Sequence, residues 1–291
     1  MSKKFFLLTA LLLGFVLLNS FRLLPQSNLY DDYEDMKCKK ILAKLDMSLK
    51  TQPIDAVIAE VGKVFLGTEY VAGTLDKNNK ENLVVYVTGL DCVTFVENAL
   101  VMSRMIKKGQ SSFEDYKKEL EYIRYRNGVM DGYPSRLHYF TDWIYDNQQK
   151  GVVKDITQEI GGVPYKKNID FMTTHVGSYK QLENNPEAVQ QMQIFENLMN
   201  ARDLYYIPKG EVDNYYDKLQ TGDIIATTTD IGGLDVTHTG FIYKDENGRT
   251  KFMHANIKTK EVMITDVELK EYLAGNKKQT GIIVARPLEV N

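Results

Sequence analysis

Gly89-Leu90-Asp91-Cys92-Val93-Thr94-Phe95-Val96-Glu97 is the stretch on which the reading of this chain turns. A turn-forming glycine leads into an acidic residue that can accept bonds from the free N–H groups of a helix start, and an apolar run follows directly. Cys92 then falls in the first helical turn, where unpaired amides and the positive end of the helix dipole favour thiolate over thiol. The other reading is a core cysteine, because a small apolar thiol packs as readily as it reacts.

Working outward, residues 93–106 are mostly apolar, with Glu97, Asn98, Ser103 and Arg104 interrupting a wide hydrophobic face, so this helix belongs inside a domain. Upstream, Cys38, Ile41, Leu42, Leu45 and Leu49 recur at helical spacing, and a second amphipathic helix follows Pro53 through Ile54, Val57, Ile58, Val61, Val64 and Phe65. A glycine-punctuated loop over 66–74 and a strand-like Val84-Val85-Tyr86-Val87 lead into the cysteine. Downstream, residues 112–122, 135–144 and 186–199 read as helices, with irregular chain between them. This mostly helical, polar-aromatic stretch at about 110–215 reads as an insertion building one wall of a cleft. From Gly222 the period becomes that of strands, at 223–227, 236–243, 251–256, 262–264 and 281–285. Helices first and a meander of short strands last predicts an α+β fold.

The net charge of −3 is spread over interspersed acidic and basic residues, and no basic tract argues for nucleic acid. The 18 tyrosines and 12 phenylalanines suit a groove that stacks on sugar or peptide as well as they suit a core. Lys3 and Lys4 precede the apolar run 5–18, the order of a secretory signal, and the run is short for a membrane span. Residues 1–25 therefore read as a signal peptide or a retained N-terminal anchor, the only membrane attachment expected. Residues 26–291 remain as a single domain, monomeric and exported to the periplasm or cell envelope. Cys38 and Cys92 could pair in such a compartment, but a bridge would abolish the nucleophile.

A nucleophilic thiol needs a base, and the base needs a third group to hold it. Of the four histidines, His238 and His254 lie on successive strands. A two-residue turn at Asn247-Gly248 would send them to opposite faces; a three- or five-residue loop centred on Glu246 places them directly opposite each other on one face, which the nucleophile reading requires. Either ring could equally pack as a partial-core residue. Asn256 is the reserve third member should His254 point away. Cys92, His238, His254 and Asp235 could also form a zinc set, yet the paired close spacing of such sites is missing.

Leu66-Gly67-Thr68-Glu69-Tyr70, Asp91 to Val96, Thr221-Gly222-Asp223-Ile224-Ile225, His238 to Tyr243 and Met253-His254-Ala255 resemble, in order, the blocks of the NlpC-type papain-like cell-wall hydrolases. The usual small Ser-Gly pair after Asp-Cys is replaced by Val93-Thr94. With residues 135–143 and 171–175, the chain resembles the subfamily first catalogued as a domain of unknown function and now associated with N-acetylmuramoyl-L-alanine amidase activity. The resemblance covers about residues 64–287 and implies a papain-like fold with Cys92 as nucleophile, His238 as general base and then acid, and His254 as the orienting group. It implies a role for Tyr70 beside the nucleophile, with the Cys92 N–H as principal oxyanion donor, and no cofactor or metal.

Peptidoglycan fragments are the expected partner, with Asp91, Arg126, Arg136, His138, Tyr139, Trp143, His175 and Asn256 expected on the substrate groove. The expected cut lies between N-acetylmuramic acid and L-alanine. The alternatives are an endopeptidase cutting after D-glutamate in the stem peptide, an acyl transferase, and a non-catalytic wall-binding module.

Overall fold

The structure, a computed structural model, describes residues 26–290; the predicted signal or anchor lies outside the described residues. Two helices, α1 (Gln26–Leu42) and α2 (Ile54–Val64), lead into the short strands β1 (Glu69–Tyr70) and β2 (Gly89–Leu90). The cysteine helix α3 (Cys92–Lys108) follows, then α4 (Phe113–Arg124) and α5 (Phe140–Gln149). The middle of the chain continues through β3 (Val153–Asp155), α6 (Thr157–Ile160), β4 (Val163–Pro164), α7 (Phe171–Thr174), α8 (Pro186–Asn200) and β5 (Tyr205–Pro208). It ends in the meander β6 (Ile224–Thr229), β7 (Val236–Lys244), β8 (Thr250–Asn256) and β9 (Glu261–Ile264), the helix α9 (Leu269–Ala274) and β10 (Gln279–Pro287). The class is α+β, with one mixed sheet ordered β2-β1-β9-β8-β7-β6-β10-β5-β4 and β3 paired to β10.

Alternation along the central strands covers both faces of that sheet. Ile224, Ala226, Phe241, Met253 and Ile283 join the core under α2, α3 and α4. Ile225, Ile242, Phe252, Ile282 and Val284 join a second core closed by Leu269 and Leu273 of α9. The cysteine helix is seated by its ring: Phe95 meets Phe241 edge-on at 5.6 Å and Phe65 at 6.2 Å.

Three local expectations change. Residues 84–87 form no strand, because side chains take their backbone bonds: Arg124 donates to Val84 O (2.6 Å), Asn98 to Tyr86 O (3.1 Å), and Val87 N–H donates to Glu34 (3.2 Å). The helix expected at 135–144 starts only at Phe140, since residues 133–135 form a 3-10 turn containing Pro134. The middle segment also supplies β3, β4 and β5, all joined to the main sheet, so it extends the sheet as well as adding helices. Among the described residues, no helix is long and apolar enough to cross a membrane.

Candidate active site

Asp91 caps α3. Its carboxylate accepts from Thr94 N–H (2.8 Å) while Thr94 Oγ1 accepts from Asp91 N–H (2.9 Å), a reciprocal capping box. Thr94 thus has a structural task, and Cys92 is fixed as the first residue of the helix. Tyr70 is brought alongside by backbone pairing, Tyr70 to Leu90 in parallel register, two residues before the cysteine. Burial, with Cys92 and Asp91 adding to it, pushes the Tyr70 hydroxyl up to about 12.

The thiol does not behave as the helix start alone predicts. Burial and the Asp91 charge push Cys92 up to about 12, outweighing the backbone N–H groups of Thr239, Val93 and Cys92 itself, which favour the thiolate. Both cysteines are free, and Cys38 is buried in the core under α1.

The histidines meet on one face, but by a different register from the one expected. β7 and β8 pair Phe241 with Met253 through Lys244 with Thr250, leaving a five-residue loop centred on Asn247 rather than Glu246. Continuing that register puts Gly240, not His238, across from His254, so the imidazoles are diagonal neighbours. They touch because position 240 has no side chain: a Cβ there would stand 2.8 Å from His254 Cβ and 2.5 Å from Met253 O. His238 Nε2 lies 2.6 Å from His254 Nδ1.

The β7–β8 ladder begins only at Phe241, and just beyond it Thr239 turns its N–H to the Cys92 sulfur. His238 is therefore one residue from the backbone group that faces the thiol; its own hydrogen bond is to His254. Burial lowers His238 to about 4, and burial together with His238 lowers His254 to about 2, so both rings are neutral at pH 7. His254 has no exposed surface; it stacks on Phe252 (4.7 Å) and meets Tyr272 edge-on (5.0 Å).

Two cavities lie at the candidate site, one lined by the chain neighbours of Cys92 and one by His238. The larger, 250 Å³, is lined by the cysteine's neighbours Asp91 and Val93 and by Arg136, His138 and Tyr139 from the middle segment. The smaller, 180 Å³, contains His238, Asn256, Tyr272 and Gln279.

Three expected groove residues, Trp143, Arg126 and His175, lie outside both cavities. Trp143 has no exposed surface and stacks on Phe140 at 4.9 Å, so it serves the core. Arg126 pairs with Asp142 (2.5 Å), lies 3.7 Å over the Phe195 ring and lines a separate surface depression. His175 is exposed and folded back on Phe171 (4.1 Å), outside the cavity that Met172 and Tyr179 help line. Arg136 pairs with Asp76 (2.6 Å) and Glu81 (3.3 Å) at the cavity wall, and His138 bonds Tyr133 O (2.8 Å). Tyr139 donates to Glu196 (2.7 Å).

Sequence reasoning missed Glu97 and Arg124, which line the larger cavity and form a buried pair at 2.7 Å. A charge in the middle of an apolar helix was the available signal, since it must find a partner. Tyr272 and Gln279 gave no signal, because they come from beyond the recognised blocks.

A family model described as AmiA-like, N-acetylmuramoyl-L-alanine amidase-like, matches residues 60–282. A crystal structure of an N-acetylmuramoyl-L-alanine amidase from Bacteroides uniformis superposes with a TM-score of 0.76 at 34% identity, covering 80% of this chain and 98% of that one. A structure titled putative xylanase from Bacteroides fragilis gives 0.69 at 37% identity, covering 77% and 98%. A Legionella pneumophila protein gives 0.68 at 21% identity over 90% and 97%, a likeness of fold alone. No protein with a curated description matches.

Proposed function

The chain belongs to the AmiA-like, N-acetylmuramoyl-L-alanine amidase-like family, and from that premise we propose that it is a cysteine-dependent amide hydrolase cutting between the muramic acid lactyl carbonyl and L-alanine. Family membership implies a peptidoglycan substrate and action at the cell wall or envelope. Export by the N-terminal segment, action as a monomer and a papain-like, NlpC-type scaffold belong to the same proposal. The observation that carries it is the His238–His254 contact of 2.6 Å beside the helix start that holds Cys92.

With His238 Nε2 engaged by His254, Nδ1 is the nitrogen left to take the thiol proton as substrate closes the gap. The sulfur attacks the lactyl carbonyl carbon, forming an S–C bond and an oxyanion. The Cys92 N–H, at the positive end of α3, and the Tyr70 hydroxyl serve that oxyanion. The C–N bond then breaks as the imidazolium gives its proton to the departing nitrogen. Water, deprotonated by His238, resolves the thioester and the proton returns to sulfur.

The neighbour titled xylanase raises a glycosidase reading, which needs one carboxyl as acid and another as nucleophile or base. At the larger cavity those carboxylates are already engaged: Asp91 by its cap, Glu97 by Arg124 and Asp76 by Arg136. The amidase reading is tested by incubating the protein with a muramoyl tripeptide and with the free tripeptide and weighing the products. Release of intact tripeptide, lost in Cys92→Ala, is expected. Cleavage within the free peptide would replace the amidase by the endopeptidase.

A further inference from the structure

The two cavities, one lined by the chain neighbours of Cys92 and one by His238, differ in chemistry, and the reaction gives them different duties. The group that leaves in acyl-enzyme formation departs toward the residue that protonates it. His238 lines only the smaller cavity, while the residues on either side of Cys92 in the chain line the larger one. The acyl portion, bearing the sugar, then belongs in the larger cavity. There Tyr133 and Tyr139 offer ring surface, and paired charges such as Arg136 with Asp76 offer partners for hydroxyls. The departing peptide belongs in the smaller one.

Beside His238 and the apolar Ile257, that smaller cavity offers the neutral polar groups of Asn256, Asn276, Gln279 and Tyr272 and one cation, Lys258, with no carboxylate in its lining. Asn256 is committed by its Oδ1 to the Lys258 N–H (2.8 Å), which fixes the short turn carrying the lysine. Among the described residues the Lys258 ammonium has no salt-bridge partner, whereas the lysines on either side of it in the sequence do other work: Lys251 pairs with Asp245 and Lys260 lies over the Tyr70 ring. Gln279 is 1% exposed and donates to Thr227 (3.0 Å), while its Oε1 has no partner among the described residues. An amide-lined pocket with a single unpaired ammonium at its rim and no opposing anion suits a peptide carrying a free carboxylate.

We propose that this cavity is the subsite for the leaving peptide, and that Lys258 selects a leaving peptide whose second residue, a γ-linked D-glutamate, bears a free α-carboxylate, over the same peptide with that α-carboxyl amidated. The inference rests on the amidase reading above, because it assigns the amine half of that bond. Tyr272 and Gln279 form the wall of the subsite, and Lys258 is its specificity-determining residue.

The experiment compares two substrates, muramoyl-L-alanyl-γ-D-glutamyl-L-lysine and muramoyl-L-alanyl-γ-D-isoglutaminyl-L-lysine, in which the γ-carboxyl is taken up by the next peptide bond and only the α-carboxyl of the second residue differs, with wild-type protein, Lys258→Ala and Lys258→Glu. Lys258 is exposed, so both variants are expected to fold. Wild type should favour the carboxylate substrate by roughly fivefold in kcat/KM, the scale of one solvent-facing charge pair, and mainly through KM. Lys258→Ala should bring the ratio to about one, and Lys258→Glu should invert it. Turnover of both substrates with no preference, or with a preference that Lys258→Ala keeps, overturns the subsite and leaves the amidase reading standing. If neither muramoyl peptide is cut by wild type, the amidase reading fails and the subsite goes with it.

Discussion

His238 Nε2 stands 2.6 Å from His254 Nδ1, and this one contact decides which nitrogen of each ring is left over. A base that works through Nδ1 must carry its own proton on Nε2, so His254 has to be the acceptor, and its proton sits on Nε2 inside the protein. That buried nitrogen has no partner among the described residues, a cost accepted to hold His238 in one tautomer. His254→Ala should therefore lower kcat by roughly a hundredfold with a smaller change in KM, and His254→Asn, which keeps an acceptor, should recover part of it. Steady-state kinetics on the muramoyl tripeptide checks this; an unchanged kcat in His254→Ala removes the orienting role.

The same burial makes the fold sensitive to acid. Both rings have folded values, about 4 for His238 and about 2 for His254, below the ordinary imidazole value of 6.5. The unfolded chain therefore takes up protons first as the pH falls, so stability declines from about pH 6.5 downward, through about 4 for His238 and on toward 2 for His254. For His238 alone the loss by pH 4 is about 3 kcal/mol. Melting curves of Cys92→Ala between pH 7 and pH 4 should show the fall, and His238→Asn should flatten part of it. A melting temperature independent of pH in both proteins would show that the rings are solvated.

Position 240 is predicted to tolerate no side chain. The Cβ of Gly240→Ala would press on Met253 O and His254 Cβ, a backbone atom and the base of a stacked ring that cannot swing away. Overpacking of this kind costs about 1–3 kcal/mol. Because the displaced group is His254, activity should fall further than stability explains. Urea titration beside a kcat measurement separates the two effects, and a well-folded, fully active Gly240→Ala would mean that the strands shift without disturbing the imidazoles.

These variants also show where the sequence was legible. The helix at Cys92 was readable because its signals are local: an acidic cap, an apolar run and no competing turn. The strand meander was readable for the same reason, and odd loop parity was enough to put the histidines on one face. The exact register was not readable, because Asp245 carries the loop: its carboxylate accepts from the N–H groups of Asn247 and Arg249 and extends the loop to five residues centred on Asn247. Trp143 and Arg126 were misplaced because neither an aromatic in a helix nor a cation in a loop carries a mark of the side it turns to. Their neighbours Phe140 and Asp142 decide it. The rise of the Cys92 pKa was hidden too, since desolvation depends on everything packed above the helix start.

Glu97 and Arg124 meet with almost no exposure, 2% and 3% for their side chains, and Arg124 also donates to Val84 O. Removing one partner should leave the other charge buried and unpaired, at a cost of about 3–5 kcal/mol. Glu97→Gln should therefore lower the urea midpoint sharply. The double variant Glu97→Leu with Arg124→Met should regain part of the loss, because an apolar pair leaves no orphaned charge. Equal midpoints for Glu97→Gln and wild type would show that water reaches the pair.

The last prediction concerns the thiol. Asp91 both caps α3 and, after burial, is the main group holding the Cys92 proton on, while the N–H groups of Thr239, Val93 and Cys92 pull the other way. Asn can cap nearly as well as Asp, so Asp91→Asn should keep the helix start while removing the negative charge. With the thiol at about 12, alkylation of wild-type Cys92 by iodoacetamide should be slow at pH 7 and rise about tenfold for each pH unit, following the thiolate fraction. Asp91→Asn should react several-fold faster at pH 7 with an unchanged melting temperature. Mass spectrometry of the alkylated protein reads both rates, and Cys38, buried in the core, should stay unmodified. Rapid, pH-independent alkylation of wild type near neutrality would mean that the sulfur already shares an ion pair with His238, and the neutral thiol and imidazole described above would have to be given up.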